Sequence, residues 1–254
     1  MIPWIHYNVI NIGPLPIQVW GLFVAIGLIV SVAIITKRAP KMGLQKEQIL
    51  DMVIWALFGG FIMSRIFHIA LYEPGFYIAN PLEMVKVWQG GLSSFGGVAG
   101  AALGILLYAK RKGIVIKTLL PTIDLLSFSA LFGWIFGRIG CFLIHDHPGT
   151  LSHSFLAVKN PNGSRLDMAF LEILALLPLV VFFILTRKKK YPEGFYTAIL
   201  FIYYGITRIV LDFFRATDVS HADVRYLGLT PGQYIAIVMV LFGIAIYIRK
   251  VHKK

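Results

Sequence analysis

A single cysteine, Cys141, excludes an internal disulfide framework and leaves the redox compartment undetermined. Acidic residues are also scarce: 12 Asp and Glu stand against 24 Lys and Arg, and charged residues make up only 14% of the chain. Soluble globular domains carry about 25% charged residues, so this is not a surface built for water. There is no low-complexity tract, no visible internal repeat and no polar stretch long enough for a separate soluble domain. What remains is apolar: 57% of the 254 residues are hydrophobic.

That apolar content falls into seven runs, each long enough at about 17–25 residues to cross a bilayer as a helix. They lie at approximately 16–36, 50–72, 92–109, 116–143, 168–186, 194–214 and 231–248. The fourth carries Pro121 and Asp124 near its start, which predicts a kink, a strong tilt or a re-entrant piece before it. The expected fold is therefore an all-α polytopic membrane protein of seven helices, with residues 1–254 forming one membrane domain.

The net charge of +12 raises a nucleic-acid reading, but the placement of the basic residues argues against it. Clusters follow the first, third, fifth and seventh runs: Lys37, Arg38, Lys41 and Lys46, then Lys110 to Lys112 with Lys117, then Arg187 to Lys190, then Arg249, Lys250, Lys253 and Lys254. The opposite side holds only Lys86, Lys159, Arg165, Arg215 and Arg225. The positive-inside rule then predicts an N-terminus outside and a C-terminus in the cytoplasm. These charges set topology and attract anionic lipid headgroups, and no nucleic-acid partner is expected. The N-terminus lacks a basic n-region and a cleavage pattern, so no cleavable signal peptide is expected. Trp4 and Tyr7 are expected at headgroup level. The outward loops are 73–91, where residues 81–88 suggest a short amphipathic helix, 144–167, a small polar cap, and 215–230.

Three arginines lie inside the apolar runs: Arg65, Arg138 and Arg208. A guanidinium stays charged at any relevant pH and costs several kcal/mol in hydrocarbon (about 3 or more) unless paired or wetted. Three of them point to an anion held within the membrane. Arg138 sits between Gly137 and Gly140 and is followed by His145, Asp146 and His147; a structural pair with Asp124 or Asp146 is the plainer alternative. Tyr204, Arg208, Asp212 and Arg215 share one helix face, where Asp212 is placed to orient Arg208. Arg65, near Ser64 and His68, reads as a headgroup contact or an ion pair to Glu172 or Asp124. In the run from Trp88 to Gly104, Ser93, Ser94, Gly96 and Gly97 open a helix with bare backbone N–H groups, an anion site. Close helix packing through Gly96 and Gly100 is the competing reading. His145, His147 and His153 allow a metal reading, and Cys141 a thiolate nucleophile beside Arg138. A common loop pattern and a small apolar filler are the plainer readings of each.

At these residues the chain resembles the prolipoprotein diacylglyceryl transferase family over nearly its whole length. The family's Gly-Arg-x-x-Asn-Phe-x-Asn-x-Glu-x-x-Gly stands here as Gly137 to Gly149, with Cys141 and Ile144 in place of the asparagines and Asp146 in place of the glutamate. Its Trp-x-Gly-Gly-Leu-Ser-x-His-Gly-Gly runs from Trp88 to Gly97, with Phe95 at the histidine position. Its Tyr-Gly-x-x-Arg-x-x-x-Glu-Phe-x-Arg matches Tyr204, Gly205, Arg208, Phe213 and Arg215, with Asp212 for the glutamate.

The resemblance implies a bacterial inner-membrane transferase with its site toward the extracytoplasmic side. It would move the diacylglyceryl group of phosphatidylglycerol to the lipobox cysteine of a preprolipoprotein and release glycerol phosphate, with no cofactor and no metal. Arg138 and Arg208 would hold the phosphate, with Asp146 and Asp212 orienting polar groups. Arg65, Gly96, Gly97, Ser93, Ser94, Tyr204, Arg215 and Asp124 would line the lipid site. The family histidine often takes the thiol proton; with Phe95 in its place, His145 and His147 rank first as replacements, ahead of His68 and Asp146. A catalytically inactive lipid-binding relative and an anion transporter are the competing readings.

Overall fold

A computed structural model describes residues 1–251, except 88–89, 116–117, 162 and 220–221, and leaves aside the side chains of residues 94, 250 and 251. Trp88, Lys117, Lys253, Lys254 and the side chain of Ser94 therefore lie outside the described residues.

The chain is helical, with two small antiparallel hairpins. The elements are β1 (Val9–Ile12), β2 (Leu15–Gln18), α1 (Val19–Arg38), α2 (Lys46–Leu71), α3 (Pro74–Ala79), α4 (Ser94–Arg111), α5 (Leu120–Ile144), β3 (Pro148–Leu151), β4 (Arg165–Asp167), α6 (Met168–Thr186), α7 (Phe195–Asp212) and α8 (Pro231–Ile246). Six of these, α1, α2, α5, α6, α7 and α8, are long and apolar enough to cross a membrane. The chain is thus an all-α polytopic membrane protein. The third predicted run forms α4, an 18-residue helix. The fourth forms a single helix from Leu120 with Pro121 in its first turn, where a missing N–H costs nothing. The amphipathic stretch at 81–88 is only a 3₁₀ turn, Pro81–Val85.

Polarity is arranged inside out. Phe58, Ile62, Leu185, Val238 and Leu241 are exposed, whereas Arg65, Asp124, Arg138, Glu172, Arg208 and Asp212 are buried. Lipid solvates apolar side chains as well as a protein core does, so close packing and internal polar bonds must fix the helices.

Two compact units result, one of residues 1–38 and 123–254, the other of residues 39–122. In the smaller unit, α2 and α4 meet through glycines. A Cβ on Gly100 would come within 2.6 Å of Met63 Cβ, and one on Gly96 within 2.7 Å of Phe67 Cβ. The glycine run therefore serves packing at both positions, as the competing reading of the sequence held. A Cβ on Gly97 would meet no neighbouring atom within 4 Å, although the Gly97 carbonyl faces Gly60. Ser93 caps α4, its hydroxyl accepting from Gly96 N, and its carbonyl accepts from Ser64 Oγ at 2.7 Å.

In the larger unit, a core of Phe128, Leu131, Leu176, Leu179, Phe183 and Tyr196 joins α5, α6 and α7. Gly140 lets α1 approach α5, since a Cβ there would lie 2.9 Å from Phe23 Cβ. Asp167 caps α6 by accepting from Phe170 N at 2.9 Å, and Thr230 with Gln233 closes a capping box on α8. The cap hairpin pairs Pro148 with Asp167 and Leu151 with Arg165. Thr150 N donates to Phe214 O and Ala216 N to Pro148 O, tying the end of α7 to the same cap. Trp4, expected at headgroup level, stacks on His145 at 4.1 Å.

Candidate functional site

In the larger unit, α5 contributes Arg138, α6 Glu172 and α7 Arg208. Arg138 Nε donates to Glu172 Oε1 at 2.7 Å, and Arg208 Nη1 to Glu172 Oε2 at 3.1 Å. One carboxylate, 2% exposed, thus joins two guanidinia from different helices. Trp134 Nε1 donates to the same Oε1 at 2.9 Å, fixing the carboxylate from a third direction. Within the trio two guanidinia share one carboxylate, and guanidinium N–H groups are strong donors to phosphate oxygens. Tyr204 sits edge-on to Trp134 at 5.7 Å, with its hydroxyl against the Arg138 guanidinium.

A second layer holds Arg208 from the far side. Its Nε lies 3.2 Å from Asp212 Oδ1, one helical turn on. Arg215 Nε donates to that same oxygen at 2.9 Å, and Thr230 Oγ1 to Oδ2 at 2.5 Å. Arg215 is paired in turn with Asp223. Asp212 thus holds Arg208, Arg215 and Thr230 together.

The loop after α5 supplies the rest. Asp146 is paired with His147 through Nδ1, and the His147 carbonyl accepts from Met168 N, which pins the pair to the start of α6. Cys141 Sγ lies 3.9 Å from Arg138 Nη1. Cys141, Asp146 and His147 each offer an atom within 4.8 Å of the others. Burial holds the His147 ring below its ordinary pKa, partly offset by Asp146. A neutral imidazole whose Nδ1–H is held by a carboxylate carries its lone pair on Nε2, the arrangement of a general base.

Several expected site residues are placed elsewhere. His145 is 5% exposed in the cap, with Nδ1 on Asp167 Oδ2 at 2.7 Å and Nε2 on Ile5 O at 3.0 Å. Both ring nitrogens are thus engaged within the cap. Its backbone also takes φ 49°, so it turns the chain out of α5. Asp124 accepts from Gly194 N, Thr197 N and Thr197 Oγ1, capping α7. It lies fourteen residues before Arg138 on α5, about 21 Å at 1.5 Å per residue, too far to touch the same phosphate.

Arg65 belongs to the smaller unit, where backbone carbonyls are its partners. Its guanidinium donates to the carbonyls of Met84, Gly90, Gly91 and Glu83 at 2.9, 2.6, 2.9 and 2.6 Å. That pattern folds the loop before α4 around one cation. The metal reading shifts too: among the described residues the cluster with ligand reach is Cys141, Asp146 and His147, without His145 or His153. Glu172 is the residue that sequence reasoning left out of the site. Its signal was being the lone acid in an apolar run, EILALLPLVVFFIL.

The profile of a family described as prolipoprotein diacylglyceryl transferase matches residues 7–249. Among similar proteins, the phosphatidylglycerol–prolipoprotein diacylglyceryl transferase of Janthinobacterium sp. (strain Marseille) is 30% identical over 271 residues, covering 99% of each chain. That of Pseudomonas paraeruginosa is 31% identical, covering 97% of this chain and 94% of its own. That of Brucella canis is 32% identical, covering 95% and 90%.

Proposed function

Because the chain belongs to the prolipoprotein diacylglyceryl transferase family, we propose that it transfers the diacylglyceryl group of phosphatidylglycerol to the lipobox cysteine of a preprolipoprotein. The observation that carries this reading is the Arg138–Glu172–Arg208 bridge, two preoriented guanidinia in a buried site. Guanidinium N–H groups are strong donors to phosphate oxygens, and Arg138 and Arg208 lie in the motifs shared with the family.

In the proposed reaction, the lipobox sulfur attacks the glyceryl carbon bearing the phosphate ester. A C–S bond forms, the C–O bond breaks, and the electron pair leaves with glycerol phosphate. Charge builds on the phosphate oxygens, where Arg138 and Arg208 stabilise it without reorganising. The thiol proton goes to Nε2 of His147, oriented by Asp146, in place of the histidine that Phe95 displaces. Arg215 and Asp212 are positioning residues for Arg208. In the smaller unit, Arg65 and Ser93 hold the loop and the start of α4.

The reading extends to topology. The basic clusters after α1, α4 and α6 and beyond α8 support seven spans in the bacterial inner membrane, with α4 as the third, the N-terminus outside and the site toward the extracytoplasmic side. The direct test incubates purified protein with phosphatidylglycerol and a lipobox peptide and seeks the thioether product by mass spectrometry. Product that disappears in Arg138→Ala and Arg208→Ala supports the assignment. Bound lipid without product in the wild type would instead favour an inactive relative, the reading that Phe95 raises.

A further inference from the structure

We propose that Cys141, Asp146 and His147 form a binding site for a soft divalent cation, Zn²⁺ above all, and that its occupation shuts the transferase off. The three side chains come from the last turn of α5 and the loop that follows, and each offers a ligand atom within 4.8 Å of the others. Thiolate, imidazole and carboxylate are the donor set that Zn²⁺ prefers, with bonds of about 2.0–2.3 Å. Tetrahedral ligands at those lengths stand roughly 3.5 Å apart. Closing the triangle therefore needs only about 1 Å of movement, within reach of side-chain rotation. Asp146 is partly exposed, with its side chain 37% accessible, and gives the ion an entry path.

A thiolate and a carboxylate balance the dication, so the loaded site is neutral once the Cys141 thiol has released its proton to solvent. Arg138 Nη1 lies 3.9 Å from the sulfur, within reach to donate to a metal-bound thiolate. The fourth coordination position falls to water or to a phosphate oxygen. Cys141 stands where the resembling family carries asparagine, so the thiolate ligand belongs to this chain's own sequence.

The consequence for turnover rests on the transferase reading. Zn²⁺ takes the imidazole lone pair that would accept the thiol proton and draws Asp146 from its partner. The ion thus removes the base and blocks the approach of the lipobox sulfur in one event.

Binding and inhibition are read separately. Purified full-length protein in detergent, free of chelator, is titrated with Co²⁺ as a spectroscopic stand-in, and with Zn²⁺ followed by metal analysis. One ion per chain, a thiolate-to-cobalt charge-transfer band, and loss of that band in Cys141→Ser and Asp146→Asn are expected. Transferase assays with and without Zn²⁺ then compare each protein with its own basal rate. At a Zn²⁺ concentration that lowers wild-type turnover at least tenfold, Cys141→Ser should lose less than twofold, and EDTA should restore the wild type. Absence of the cobalt band, or Zn²⁺ bound equally by Cys141→Ser, overturns the site. A metal-loaded protein with undiminished turnover overturns the inhibitory role alone. No turnover with or without Zn²⁺, while the band is present, would count against the transferase reading and leave the site standing.

Discussion

Replacing Glu172 with glutamine keeps the shape of the side chain and removes the charge that joins two arginines. The carboxylate accepts from Arg138 at 2.7 Å, Arg208 at 3.1 Å and Trp134 at 2.9 Å, and it is 2% exposed. In the variant one guanidinium faces a carboxamide N–H, and two buried cations are left without their shared counter-charge. Breaking a buried ion pair by removing one partner costs about 3–5 kcal/mol. The Glu172→Gln loss should fall near the lower end, because the remaining oxygen still accepts one bond. The arginines then repel each other, and at least one leaves the geometry a phosphate needs. Loss of one preorganised donor at a developing oxyanion lowers kcat by about 10²–10³. Thioether formation in detergent micelles, together with thermal unfolding followed by intrinsic fluorescence, measures both effects. Glu172→Asp keeps the charge and shortens its reach by one methylene, so it separates charge from distance if the glutamine variant unfolds. Wild-type turnover and an unchanged melting temperature in Glu172→Gln would refute the idea that this carboxylate builds the site.

The two neighbouring histidines should behave differently. His147→Ala should abolish most thioether formation, by about 10²–10⁴-fold for a lost general base, whereas His145→Ala should chiefly lower the melting temperature; the opposite pattern would reject the assignment of His147. Because burial lowers the His147 pKa, the ring stays neutral down to and below its ordinary value, so the acid limb of the rate should lie below pH 6.5. The same group favours folding above pH 6.5 and withdraws that support as the pH falls, since the unfolded chain takes up the proton first; His147→Asn should flatten this part of the stability profile. In the smaller unit, Gly100→Val would force methyl groups against Met63 and should cost about 1–3 kcal/mol or more of stability, checked by thermal unfolding, with an unaltered melting point counting against the α2–α4 contact. Asp124→Ala should lose about 1–2 kcal/mol as a helix cap while leaving the KM for phosphatidylglycerol unchanged, and a raised KM would return Asp124 to the lipid site.

The sequence by itself carried the membrane class and the helix positions, because bilayer thickness sets a local length that a run of apolar residues either meets or fails. The run at 168–186 became α6 within the same bounds, and those at 194–214 and 231–248 shifted by only a few residues. Arg208 and Asp212 were legible as one face because helical periodicity relates i and i+4 within a single element, whereas Arg215 lies past the end of α7 and meets Asp212 from the following turn. Arg138 stood out because a permanent charge in an apolar run has to be accounted for.

The partners were not legible, since ion pairs between helices join residues far apart in the chain. Glu172 reaches Arg138 across 34 positions and Arg208 across 36, and nothing local to Glu172 tells which arginine it meets. Arg65 was read as a headgroup contact or an ion pair, yet four backbone carbonyls accept from its guanidinium, and carbonyls leave no trace in residue identity. His145 and His147 share one loop and the same flanking aspartate, so their sequence contexts are nearly equivalent. Only the folded cap separates them: it turns both His145 nitrogens toward acceptors, and it sets His147 against Asp146 and Cys141 beside the arginine pair.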